Sequence, residues 1–215
     1  MRSETKFLPA LRFHFLTPIY DLVSRSTREY FFKKRLIRMA KLDQGDRILD
    51  VGCGTGTLAI MIKSDYPQVA VTAIDCDEAM LNIARSKTAR KNLAIDYKNA
   101  FSNAIPLSDS SIDACFSTLL FHHLTRDQKV QTLSEIHRLL RQDGELLIAD
   151  WGKPRNFVMK LLSMTERIFD GKVTSDNLNG LLPELVKAAG FGKVELREQI
   201  DTFFGTLDLM SAIKS

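Results

Sequence analysis

Residues 50–56 read Asp-Val-Gly-Cys-Gly-Thr-Gly, directly behind the apolar run Arg47-Ile48-Leu49 and directly ahead of Thr57-Leu58-Ala59-Ile60-Met61-Ile62. That order is a strand driven into a glycine turn with a helix opening behind it. Gly52, Gly54 and Gly56 remove side chains where a ligand must touch backbone, and they permit positive φ in the turn. The helix aims its unpaired N–H groups and the positive end of its dipole into the same space. Such a turn binds a nucleotide-like ligand. A dinucleotide fold requires Gly-x-Gly-x-x-Gly, and that pattern fails here because Thr57 stands where its last glycine belongs. A second acid, Asp75, ends the next apolar run, Val69 to Ile74. A carboxylate at that strand tip can accept both hydroxyls of a ribose. Farther on, the apolar stretch ending Leu119-Leu120-Phe121 runs into His122 and His123. Imidazoles titrate near pH ~6.5, so either can take a proton at neutral pH.

These residues need a frame. Strand 1 is expected at about 47–51, a helix at 56–64, strand 2 at 69–75 and a helix at 78–90. Strand 3 falls on Leu93 to Tyr97, strand 4 on about 112–119, and a helix on 126–141 with Val130, Leu133, Ile136, Leu139 and Leu140 on its inner face. Asp143-Gly144 is the turn into strand 5, Glu145 to Ala149. Strands alternating with helices imply parallel pairing and right-handed crossovers. Upstream, a helix at about 27–40 carries Lys33, Lys34, Arg35, Arg38 and Lys41, read as its solvated face. The aromatic, proline-bearing segment 7–23 (Phe7, Phe13, Phe15, Pro18, Tyr20) is read as short helical pieces over the ligand cleft. Downstream come amphipathic helices at 155–169 and 178–189, the second stopped by Gly190, and two extended segments at about 192–199 and 202–213.

The chain therefore reads as one domain over 1–215: a lid segment at 1–40, a cofactor-binding core at 41–150, a helical substrate-side insertion at 151–190 and a strand pair at 191–215. At 45% hydrophobic and 26% charged residues the composition is that of a globular protein with a real core. The net charge of +4 is dispersed among acids, and no nucleic-acid partner is expected. Three cysteines, an odd number, argue against a disulfide framework and for a reducing, cytoplasmic setting. No window is long and apolar enough to span a membrane, and the four histidines do not pair with acids at metal-ligand spacing.

The acid before Gly-x-Gly-x-Gly, with another acid ending the second strand, resembles the class I S-adenosylmethionine-dependent methyltransferases. Tyr20-Asp21-Leu22, Ile105-Pro106-Leu107 and Phe121-His122-His123-Leu124 resemble, within that class, the ubiquinone/menaquinone C-methyltransferase-like branch. The resemblance implies an α/β fold: a Rossmann-like, doubly wound seven-stranded sheet, mostly parallel, with an antiparallel last strand and helices on both faces. It implies S-adenosylmethionine as cofactor and S-adenosylhomocysteine as product. The ligand's carboxylate suits the loop amides at Gly52, Cys53, Gly54 and Gly56, and its amine suits Asp50. Asp75 takes the ribose, and Cys76 packs on an adenine face. Aligning on Ile105-Pro106-Leu107 puts Phe101 where the family carries an adenine-binding Asp, so Ala100 and Phe101 are the adenine-edge candidates, with Ser102 or Asn99 as a substitute polar contact. Ser117, near the tip of strand 4, and Tyr20, in the lid, complete the cofactor candidates.

Methyl transfer is an in-line displacement in which alignment supplies most of the acceleration, about 7–11 kcal/mol for well-oriented pairs. A base is needed only for an acceptor that must lose a proton early. His122 and His123 are the candidates, with His14 and Tyr20 behind them. Phe13, Phe15, Tyr20, Phe121, Trp151 and Phe157 suggest a water-excluding pocket, although core packing is the favoured reading for at least half of them. The reading is an enzyme that methylates a small, apolar or aromatic acceptor at carbon or oxygen, touching a membrane surface only if that acceptor is a lipid or quinone. An RNA or protein methyltransferase, and a cofactor-binding protein without turnover, are the alternatives.

Overall fold

The computed structural model describes residues 29–156, 159, 175–202 and 205–215. Within them, six α-helices and one 3-10 turn surround one sheet. In chain order these are α1 (Glu29–Met39), β1 (Arg47–Val51), α2 (Thr57–Asp65), β2 (Ala70–Asp75), α3 (Glu78–Arg90), β3 (Asp96–Asn99), β4 (Ile112–Thr118), a 3-10 turn (Phe121–His123), α4 (Arg126–Leu139), β5 (Leu140–Trp151), α5 (Ser175–Leu178), α6 (Leu182–Ala188), β6 (Phe191–Asp201) and β7 (Thr206–Lys214). The sheet runs β3-β2-β1-β4-β5-β7-β6. Pairs among β1 to β5 are parallel, and β7 runs antiparallel to both β5 and β6. The expected seven-stranded, doubly wound sheet is thus present, and its strand order reverses between β1 and β4, where such folds hold their ligands.

Two cores result from parallel strands buried on both faces. One, built on Ile48, Phe116 and Leu147, lies under α1 and α2; the other, on Leu49, Cys115 and Ile148, lies under α4 and α6. The three cysteines are free, with Cys53 and Cys115 buried and Cys76 half-buried. No helix among the described residues is long and apolar enough to cross a membrane.

Several expectations need correction. Strand 3 is Asp96–Asn99 rather than Leu93 to Tyr97: the register on β2 runs from Thr72↔Asp96 to Asp75↔Asn99. α4 ends at Leu139, and β5 starts at Leu140, bulging where Asp143 takes φ 61°. The helix expected over 178–189 is two short helices, broken at Gly180 with φ 76°. On α4 the inner face holds Lys129, Thr132, Leu133, Ile136 and Leu139, whereas Val130 is 46% exposed. Position 129 continues the i, i+4, i+7 stripe through Leu133 and Ile136 better than position 130 does, and the helix tolerates the buried ammonium because Asp176 sits 3.8 Å away. Nor is the basic run on α1 uniformly solvated. Lys33 is buried against Glu29, Lys34 lies over the Tyr30 ring, and Arg35 pairs with Glu198 over the Phe31 ring. Segment 7–23, Phe157 and the bulk of the 155–169 helix lie outside the described residues.

Candidate active site

β1 ends in Asp50-Val51, and the chain then turns through Gly52, Gly54 and Gly56 at φ 72°, 52° and 74°. Only glycine holds such values without Cβ strain. The turn is braced from within. The N–H groups of Gly52 and Cys53 both donate to the Ile74 carbonyl at 2.9 Å, and that of Gly56 donates to Cys53 O at 2.9 Å. Gly54 N–H donates to Asp75 Oδ2 at 2.8 Å. This corrects the assignment of a ligand carboxylate to these loop amides. They hold the loop's shape. The Cys53 side chain is buried and faces the core, so Cys53 contributes backbone only.

Asp75 closes β2. Its Oδ1 accepts from Asp77 N–H at 2.9 Å and its Oδ2 from Gly54, which leaves one lone pair on each oxygen for a ligand hydroxyl. Burial raises its pKa, and those amides pull the other way. Asp77 caps α3 through Ala79 N–H, so Asp75 does not serve as the helix cap. Asn99 Nδ2 donates to the Cys76 carbonyl at 3.3 Å, and Ala100 N–H to the Asp75 carbonyl at 3.1 Å, latching the tip of β3 onto β2. Ser102 is engaged with the Thr132 hydroxyl at 2.8 Å. Phe101 is 48% exposed, so its ring is not a core residue.

Asp50 is fully buried, and among the described residues no side chain hydrogen-bonds to its carboxylate, which faces the Ala59 N–H. Its pKa is pushed up to about 7: burial dominates, the Lys33 charge and the Ala59 N–H pull down, and Asp75 pushes up. A buried carboxylate without a side-chain partner is costly. Here it lies at the glycine turn, on the face covered by α2, and it suits a cationic amine. Ser117 is buried, and its hydroxyl donates to Val51 O at 3.1 Å, so it ties β4 to β1. That corrects the expectation of Ser117 as a cofactor contact.

Beyond β4 the backbone strains. Leu119 adopts φ 55°, unfavourable for a bulky residue, and delivers Leu120 and the Phe121–His123 turn toward the glycine loop. A Cβ built on Gly52 would lie 2.9 Å from Leu120 Cδ1. Gly52→Ala is therefore expected to combine the left-handed penalty, about 1–2 kcal/mol, with a displaced Leu120; a lower Tm and weakened cofactor binding check this.

His122 is buried, and its Nδ1 lies 2.8 Å from Asp150 Oδ1 at the end of β5. Burial pushes the Asp150 carboxyl up, but the charge and hydrogen bond of His122 and the Trp151 N–H outweigh it and hold it below its ordinary range. The His123 ring lies against that of His122 at a tilt of 43°, with centroids 3.9 Å apart. Enclosure, and then the His122 charge, push its pKa down to about 3, so it is neutral at pH ~7. Phe121 and Trp151 are core residues, which settles that part of the pocket-wall expectation. Tyr20 and His14 lie outside the described residues.

Asp150, Asn177 and the Lys129–Asp176 pair were not singled out from sequence. Asp150 ends an apolar strand next to Trp151, which was the only available signal. Asn177 sits on a four-residue helix with no periodicity to read.

A glycine turn at the β1/β4 switch, acids at the tips of β1 and β2, and a sheet with an antiparallel seventh strand define a methyltransferase that uses S-adenosylmethionine. The comparisons agree. The family described as Methyltransferase domain matches residues 48–144. A demethylmenaquinone methyltransferase of Thermus thermophilus is 30% identical over 182 residues, which is 80% of this chain and 82% of that one. A ubiquinone/menaquinone biosynthesis C-methyltransferase of Geotalea uraniireducens is 28% identical over 156 residues, covering 70% of this chain and 66% of that protein. A crystal structure of a SAM-dependent methyltransferase from Aquifex aeolicus superimposes with a TM-score of 0.70 at 23% identity, covering 92% of this chain and 97% of that one. The chain belongs to the class I S-adenosylmethionine-dependent methyltransferases. The residues present suit that cofactor in kind: Asp50 is a buried carboxylate with no side-chain hydrogen bond among the described residues, as an amine would require, and Asp75 has a lone pair left on each oxygen, as ribose hydroxyls would require.

Proposed function

We propose that the protein transfers a methyl group to carbon or oxygen of a small, apolar or aromatic acceptor, with a quinol as the first candidate. The observation that supports this reading is the turn that follows β4: Leu120 packs against Gly52 of the glycine loop, and His122, two residues on, pairs with Asp150. The names of the two quinone-pathway relatives support the acceptor class. S-adenosylmethionine supplies an electrophilic methyl group on a sulfonium. Asp50 holds the amine, Asp75 the ribose, and the Cys76 and Ala100–Phe101 backbone frames the adenine. The exposed Phe101 ring supplies a face for it to pack on, in place of the family's acid. Held by these residues, the cofactor would present its methyl group to an acceptor, and alignment of the two would supply most of the rate.

The test is methyl transfer to a panel of phenols and quinols, including chemically reduced demethylmenaquinone. His122→Ala is expected to leave S-adenosylmethionine affinity within about twofold while turnover falls on the order of 100-fold, the lower range for a general base. Undiminished turnover removes His122 from the chemistry. RNA methylation with no small-molecule transfer would move the reading to the macromolecular alternative.

A further inference from the structure

We infer that Phe101 makes the cofactor site indifferent to the 6-amino group of the purine: an apolar ring borders the base there, and among the described residues no side chain reads that amine. The inference deepens the cofactor reading above and rests on it. The position of Phe101 follows from the ladder. Asn99 is the register partner of Asp75, and Ala100 N–H donates to the Asp75 carbonyl at 3.1 Å. Phe101 therefore stands one residue past the point where the chain leaving β3 is tied to the acid assigned to the ribose. A base joined to that ribose and lying outside the strand ends reaches this corner. Phe101 is 48% exposed, whereas Phe121 and Trp151 are buried in the two cores. A phenyl ring half open to water offers a purine contact area and no conventional hydrogen bond.

The polar side chains around Phe101 are committed elsewhere. Asn99 Nδ2 donates to the Cys76 carbonyl at 3.3 Å, and the Ser102 and Thr132 hydroxyls lie 2.8 Å apart. Asn103 Nδ2 donates to Gln131 Oε1 at 2.7 Å. The nearby carboxylates are engaged as well. Asp77 caps α3 through Ala79 N–H. Glu135 accepts from Ile105 N–H at 2.8 Å and pairs with Arg138, which also holds Asp109. The loop after β3 is thus sewn to α4 through Ser102, Asn103 and Ile105, and a side chain recruited to a purine amine would have to give up a bond that fixes this loop.

The consequence is one of selectivity. A site that hydrogen-bonds a ligand group rejects the analogue lacking it, because a desolvated partner is left unpaired, whereas an apolar wall discriminates weakly. Taking away the 6-amino group strands no side-chain partner at Phe101. Recognition of the cofactor then falls to Asp50 at the amine and Asp75 at the ribose, and cofactors altered at the 6-position are accepted.

The experiment is calorimetric titration of the full-length protein with three ligands: S-adenosylhomocysteine, the analogue with hydrogen in place of the 6-amino group, and the N6-methyl analogue. The hydrogen analogue leaves the ring nitrogens as they are, so it isolates the amine. The wild type is expected to bind all three within about threefold. Phe101→Ala is expected to weaken all three alike, by about fivefold or more, through loss of the ring contact. Phe101→Asp, which puts a carboxylate on the same Cβ, is expected to favour S-adenosylhomocysteine over the hydrogen analogue by about tenfold or more. Circular dichroism shows whether these variants at a half-exposed position are folded. A wild-type preference of about tenfold or more for the amino compound overturns the inference whatever the variants do. Wild-type affinities in folded Phe101→Ala, or no new preference in folded Phe101→Asp, overturn it too. Failure of the wild type to bind S-adenosylhomocysteine at all would instead overturn the cofactor reading.

Discussion

Asp75→Ala is expected to weaken S-adenosylmethionine binding by about 2 kcal/mol or more, roughly 30-fold in Kd. Two losses combine. The ribose hydroxyls lose a charged acceptor, and Gly54 N–H loses the Oδ2 that fixes the middle of the glycine loop. The fold should survive, because Asp77 independently caps α3 at Ala79 and the β2 ladder on β1 and β3 is made by backbone. Calorimetric titration of the variant, with circular dichroism to show that it is folded, checks this. Wild-type affinity in a folded variant would remove Asp75 from the site.

Asp50→Asn is expected to act in opposite directions on stability and binding. The Asp50 carboxyl is raised from 3.8 to about 7, chiefly by burial. The native state therefore binds this proton more tightly than the unfolded chain, so stability falls as pH rises from about 4 to about 7 and stays lower above that window. At 1.36 kcal/mol per unit the loss amounts to at most about 4 kcal/mol. Asparagine removes the buried charge and should recover about 2 kcal/mol of this at pH ~8 and little at pH ~5. The same change should weaken S-adenosylmethionine binding more than about tenfold, since the amine loses an anionic partner. Urea unfolding at the two pH values and a titration at the higher one measure both effects. A variant less stable than wild type at high pH would show that Asp50 is satisfied in some other way.

Much of the fold was legible because each element of the core carries its own signal. The three positive-φ glycines lie where Gly52, Gly54 and Gly56 stand in the sequence, and α3 occupies 78–90 as its periodicity suggests. The placement of Asp50 and Asp75 at strand ends beside the glycine turn was legible for the same reason. Failures arose where tertiary context overrode local pattern. Lys129 took an inner position on α4 that hydrophobicity alone assigns to Val130, because Asp176, far along the chain, supplies its counter-charge. β3 slid toward its C-terminal end because pairing with β2, not the apolar content of Leu93 to Ile95, sets the register. The loop amides looked open to a ligand because sequence cannot reveal that Ile74 O and Asp75 Oδ2 occupy them. The histidine pair was visible, but the carboxylate behind it was not. Asp150 follows His122 by 28 residues, and only the parallel pairing of β4 with β5 brings them together.

The most direct test of the central claim is calorimetric titration of the full-length protein with S-adenosylmethionine, S-adenosylhomocysteine and NAD at about pH 8 and again at about pH 6. Micromolar binding of the first two and none of NAD is expected, with S-adenosylmethionine affinity dropping at the lower pH as Asp50 takes up its proton. NAD binding, or S-adenosylmethionine affinity unchanged between the two pH values, would contradict the site described above.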